Sequence, residues 1–147
     1  MTRSKASLLL LALTGCLHNS PATVLAPLAE GEPPLHLTGQ SGEPISISFG
    51  DKVTATVFNR LRRDTRYRIV PTTVRLVCPS ALYDSTEGYL LNARIIQMRG
   101  DTAIAALSLK CGTSSQVINY QSDYLLVRRG RRWQIATSLG NGASIGF

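Results

Sequence analysis

Leu90-Leu91-Asn92-Ala93-Arg94-Ile95-Ile96-Gln97-Met98, then Arg99-Gly100-Asp101, then Thr102-Ala103-Ile104-Ala105-Ala106-Leu107-Ser108-Leu109-Lys110-Cys111 is the stretch from which the fold is read. Ala103, Ala105, Leu107 and Leu109 recur at period two, the spacing that puts side chains on one face of a strand. Gly100 supplies the turn, so the two runs are expected to form a hairpin. A second hairpin is expected from Val117 to Arg128 and Arg131 to Leu139, joined at Arg129-Gly130. Ile118, Tyr120, Tyr124 and Leu126 share one face of its first strand, and Trp133, Ile135, Thr137 and Leu139 share one face of its second. The glycine-rich tail from Gly140 to Phe147 is expected to be loose.

Upstream, Ile45-Ser46-Ile47-Ser48-Phe49 alternates apolar and polar residues, as a half-buried strand does, until Gly50-Asp51 breaks the pattern. Asp51 can cap a helix whose apolar stripe is Val53, Val57 and Leu61, with Phe58 beside it, running through about Arg63. Ile69-Val70 and Val74-Arg75-Leu76-Val77 read as short strands separated by Pro71. These elements predict an α+β fold: an N-terminal helix packed on a curved antiparallel sheet of about four to six strands. One helix followed by long antiparallel strands, ending in Tyr124-Leu125-Leu126-Val127-Arg128-Arg129-Gly130-Arg131-Arg132-Trp133-Gln134-Ile135, resembles the closing half of an NTF2-like domain over residues 50–139. The resemblance implies a sheet wrapped on a helix, with a cone-shaped pocket in which enzymes of that family commonly place His or Asp. This segment has no His, and no catalytic residue maps onto it.

The chain opens with a short basic start (Arg3, Lys5), an apolar run from Ala6 to Leu13, and the small residues Thr14-Gly15 directly before Cys16. That is the plan of an export signal. The apolar run is far shorter than the roughly 20 residues a membrane-spanning helix needs. Leu13-Thr14-Gly15-Cys16 resembles the lipobox of bacterial lipoproteins, in which signal peptidase cuts before a cysteine that carries lipid. The resemblance implies that residues 1–15 are removed, that Cys16 becomes an acylated N-terminus with three acyl chains, and that the membrane is a partner through that lipid. Two chains already give stable anchoring. Leu17 stands where aspartate favours inner-membrane retention in lipoproteins of enteric-type bacteria, so the expected location is the periplasmic face of the outer membrane. The alternative is an ordinary secretory signal with an incidental cysteine.

Residues 16–44 include Pro21, Pro27, Pro33, Pro34 and Pro44 with no sustained apolar period, and read as an extended tether to a single domain over residues 45–147. His18 and His36 both lie in it and read as solvated. The 147-residue chain has room for one ordinary domain, and its 17% charged and 44% hydrophobic residues are close to the globular average. Outside Cys16 there are two cysteines, Cys78 and Cys111. In an oxidising compartment they are expected to pair as a disulfide; two buried thiols are the alternative, and a zinc site lacks ligands.

The formal charge of +7 falls to +5 once residues 1–15 are removed, and residues 45–147 alone carry 14 basic against 6 acidic side chains. Twelve of those 14 are Arg, which suits bidentate contact with carboxylate or phosphate, although GC-rich coding enriches Arg as well. Arg128, Arg129, Arg131 and Arg132 surround Gly130 at one expected hairpin tip. There they form a candidate contact for lipid phosphates, an anionic envelope polymer or an acidic envelope protein, or else only protect a turn from edge aggregation. Arg60, Arg62, Arg63, Arg66 and Arg68 at and beyond the helix end present the same choice between a solvated end and an anion-binding face.

Catalysis has no carrier in the pattern. No histidine lies after His36 to build a Ser-His-Asp arrangement, and no G-x-S-x-G elbow or phosphate-cradling loop occurs. Asp84 and Glu87 lack the further ligands a paired acid-base or calcium site needs. The expectation is therefore no cofactor, no metal and no nucleic-acid partner, with a non-catalytic domain that binds a protein or an envelope component. The alternative is an NTF2-like small-molecule-binding or enzymatic domain.

Overall fold

The computed structural model describes residues 19–30, 44–78, 87–112 and 115–146. In chain order its elements are α1 (Pro21–Leu25), α2 (Pro27–Glu30), β1 (Ile45–Phe49), α3 (Lys52–Val57), a 3-10 turn (Asn59–Arg63), β2 (Tyr67–Ile69), β3 (Gly88–Arg99), β4 (Thr102–Gly112), β5 (Val117–Arg129) and β6 (Arg132–Gly146). The six strands form one open sheet in the order β2-β1-β3-β4-β5-β6, giving a mixed α+β fold with a few short helices.

The sheet is not purely antiparallel as expected. β1 pairs parallel with both β2 and β3, and only β3 to β6 run as antiparallel neighbours. The reason is the connection: α3 and the 3-10 turn carry the chain from β1 back to the start of β2, the crossover a parallel pair requires. Asp51 caps α3 as its sequence position suggests, with Oδ1 accepting from the Thr54 N–H at 2.7 Å. The helix then tightens at Phe58, so the buried side chains are Thr54, Phe58 and Leu61, while Val53 and Val57 are half-buried.

Thr54 does a strand's work from a helix. β1 pairs with β3 only as far as Leu91, and beyond it the Ala93 N–H would face the core without a partner. The Thr54 hydroxyl accepts that N–H at 3.0 Å and itself reaches Asn92 Oδ1 at 3.2 Å. Thr54→Val keeps the shape and orphans a buried donor, so it is expected to lower unfolding stability by about 1–3 kcal/mol. Chemical denaturation checks this, and an unchanged midpoint would contradict it.

The first two helices correct the reading of residues 16–44 as a tether, for the part that is described. Ser20 caps α1, accepting from the Thr23 N–H at 3.3 Å, and Pro21 and Pro27 each open a helix, the position where a missing N–H costs nothing. Val24, Leu25, Leu28 and Ala29 follow a helical spacing and are buried in the main core with Phe58, Leu61, Leu91, Leu126 and Trp133. α1 packs against α3, β3 and β6, and α2 against β6. Residues 31–43 of the expected tether lie outside the described residues.

All five residues of β1 are buried, not alternate ones. Ile45, Ile47 and Phe49 join the core under the helices, while residues 72–76 cross the face that carries Ser48 and Leu90. The expected strand over Val74–Val77 is absent; Val77 makes only isolated bridges to Glu87 and Gly112. Those contacts fasten this segment across the ends of β3 and β4, with Cys78 N–H donating to Gly112 O and Gly88 N–H to Val77 O, both at 2.9 Å. Gly88 is required there: a Cβ would lie 1.9 Å from Ser46 O, so any side chain would push β1 off β3.

Both hairpins form. Gly100 (φ 55°) and Gly130 (φ 65°) occupy the left-handed conformation that their two-residue turns need. The tail expected to be loose instead continues β6, paired with β5 out to Val117 opposite Gly146. Gly140 (φ 137°) sits at a bulge opposite Asp123 and lets the strand go on after the irregularity. A second bulge after Ile135 sets Thr137 opposite Leu125, so Thr137 and Leu139 leave the face they were expected to share with Trp133. Only Trp133 of β6 is buried.

Candidate functional site

Three parts of the chain meet at the β5–β6 turn. Arg128 donates from Nε and Nη2 to Asp101 Oδ1 at 2.8 and 2.6 Å, and its backbone N–H donates to Asp101 O at 2.8 Å. This ties the β5–β6 turn to the β3–β4 turn. Arg128 Nη1 also donates to Asn19 Oδ1 at 3.5 Å, which brings in the first described residue before α1. The four arginines expected to project together therefore divide: Arg128 is folded back, while Arg129, Arg131 and Arg132 are exposed and have no ion-pair partner among the described residues. Arg99 is exposed on the adjoining turn and joins them. Arg99 was not singled out with this group in the sequence; the register that pairs it with Thr102 beside Val127 is what places it there.

The arginines after α3 form a separate region at the opposite edge of the sheet. Arg66 grips Asp64 at 2.7 Å, and its hydrogen bonds hold the Asp64 carboxyl below the usual carboxylate range. Arg62 lies over the Phe49 ring at 5.4 Å and Arg66 over Tyr67 at 5.6 Å. Both are thus partly committed to the fold rather than presented as a bare anion-binding face.

A groove of about 470 Å³ opens on the helix-bearing face of the sheet, where the helices do not reach. Its lining includes Tyr89, Leu107, Leu109, Tyr120, Ser122 and Asn141, drawn from four successive strands. The Tyr89 and Tyr120 rings meet edge-on with centroids 6.4 Å apart. Burial, reinforced by Tyr120 and Glu87, pushes the Tyr89 phenol up to about 12, so it remains a neutral hydrogen-bonding group at physiological pH. Sequence reasoning missed this pair, because only the register across β3, β4 and β5 brings residues 31 positions apart together.

Cys78 and Cys111 are joined by a disulfide. Cys111 is buried in the core and Cys78 packs against it. Glu87 lies at the head of β3, while Asp84, Cys16, His18 and His36 are outside the described residues. Among the described residues no group of three or more His, Cys, Asp or Glu comes together to hold a metal, and no helix is long and apolar enough to cross a membrane. Comparison with family models, with curated proteins and with solved structures returns no match for this chain.

Proposed function

We propose that this chain is a bacterial cell-envelope lipoprotein, anchored through acylated Cys16 to the periplasmic face of the outer membrane. Its small domain binds a protein or an anionic envelope component without catalysis. The observation that carries the reading is the ordered start: Arg3 and Lys5, the apolar run, then Leu13-Thr14-Gly15-Cys16. The disulfide supports it, because such bonds persist outside the reducing cytosol. The exposed arginines at the β5–β6 turn support an anionic or acidic partner.

The groove that holds Tyr89 and Tyr120 favours a second reading, in which an NTF2-like domain binds a small apolar or aromatic molecule. Its volume falls within the range of small-ligand pockets, and it pairs apolar walls with a few polar groups.

Cys16→Ser tests the anchor. The wild-type protein is expected to sediment with outer membranes, while the variant is expected to shift to the soluble envelope fraction or to accumulate with its leader uncut. A variant that is cleaved normally and stays with the membrane would overturn the anchor.

A further inference from the structure

The position of Asn19 fixes which end of the domain would face a membrane. Asn19 accepts a hydrogen bond from Arg128 at the β5–β6 turn, and Cys16 lies three residues before it in the chain. Three residues span at most about 11 Å even when fully extended. An acyl chain on Cys16 therefore leaves almost no tether, and the end of the domain nearest the bilayer is the end formed by the β3–β4 and β5–β6 turns. That end carries Arg99, Arg129, Arg131 and Arg132, all exposed, while the carboxylate of Asp101 is already neutralised by Arg128. The other arginine-rich region sits across the sheet at β2, four positions from β5 and five from β6, or roughly 19–24 Å from the β5–β6 turn at ordinary strand spacing. The exposed arginines of the turns are thus the cations nearest the anchor. Because the Debye length in physiological salt is about 8 Å, they act on headgroups only when this end lies against the leaflet, as the short link requires.

We infer that the two turns form a membrane-docking end, in which Arg99, Arg129, Arg131 and Arg132 bind the phosphates of anionic lipid headgroups in the leaflet that holds Cys16. Guanidinium groups suit this task, since each can give two parallel hydrogen bonds to one phosphate. The docked domain would lie against the bilayer with its sheet turns down, and the Tyr89 groove and β2 arginines would remain turned toward other partners. The orientation rests on the acylation of Cys16; the lipid contact itself does not.

The test uses the chain from residue 16 with Cys16→Ser, which keeps every described residue and carries no lipid, so it reads the arginine contact apart from the anchor. Co-sedimentation is measured with vesicles of phosphatidylethanolamine and phosphatidylglycerol at 3:1 and with pure phosphatidylcholine, in 0.15 M salt. Binding is expected for the anionic vesicles only and is expected to weaken as salt rises. Changing Arg129, Arg131 and Arg132 together to Gln is expected to reduce partitioning about 100-fold, since each basic residue near an anionic surface contributes roughly a fivefold factor. The same three positions changed to Lys are expected to stay within a few-fold of the parent, and thermal melting of both variants is expected to match it. The comparison variant Arg63→Gln, Arg68→Gln, Arg94→Gln removes equal charge from exposed sites elsewhere and is expected to stay within a few-fold. Equal losses from the two Gln variants, or no loss from the turn variant, would overturn the docking end. Because no acyl chain is present, neither result bears on whether Cys16 is lipidated.

Discussion

Replacing Cys78 and Cys111 together by Ser is expected to lower the unfolding free energy by about 3.5–4 kcal/mol, the loop-entropy value for a bridge spanning 33 positions. Such a loss is a large share of the stability of a small domain. The location of the bond shows why it matters. Residues between β2 and β3 include a segment that is a strand neither in length nor in pairing, held to the sheet by Val77's two isolated bridges and a few backbone hydrogen bonds. The disulfide fixes that segment at the end of β4, and the segment in turn covers the Ser48 face of β1. Chemical denaturation of the oxidised protein and of the double variant measures the difference. A change below about 1 kcal/mol would mean that the backbone hydrogen bonds alone hold the segment in place.

Leu25→Ala carries the second large effect. Leu25 is fully buried in α1, among side chains from α3, β3 and β6, so truncation leaves a cavity in the main core. The expected cost is about 2–5 kcal/mol, as for other buried Leu→Ala changes. The same substitution in an extended tether would be within about 0.5 kcal/mol of neutral, as for other exposed sites. The denaturation midpoint therefore decides whether residues 19–30 belong to the packed domain. If they do, a lipid on Cys16 holds the domain close to the bilayer and does not let it stand off.

The hairpins were legible because period two and a turn glycine are local signals, and Gly100 and Gly130 adopt the conformations those turns require. Asp51 was legible as a cap for the same reason. The start of the domain was not. Pro21 and Pro27 count toward an extended tether by composition, whereas their positions at the first turn of two short helices make them helix-compatible. What makes α1 and α2 stable is burial of Val24, Leu25 and Leu28 against distant strands, which no local window contains. The parallel pairing of β1 was hidden likewise, since it is set by where the chain returns after α3.

The arginine cluster was legible as a charge run, but its division was not. Asp101 is 27 positions from Arg128, and only the alignment of β4 with β5 makes them partners. The length of β6 was misjudged because glycine lowers strand propensity, while in this strand it relieves a bulge and lets pairing continue to Gly146.

The intact mass of the protein extracted from membranes tests the lipoprotein reading most directly. The account predicts a chain that begins at Cys16, with a diacylglyceryl group on its sulfur and an acyl group on its new amine. A mass that includes residues 1–15 with an unmodified Cys16, or a cleaved chain with no acyl group, would contradict it.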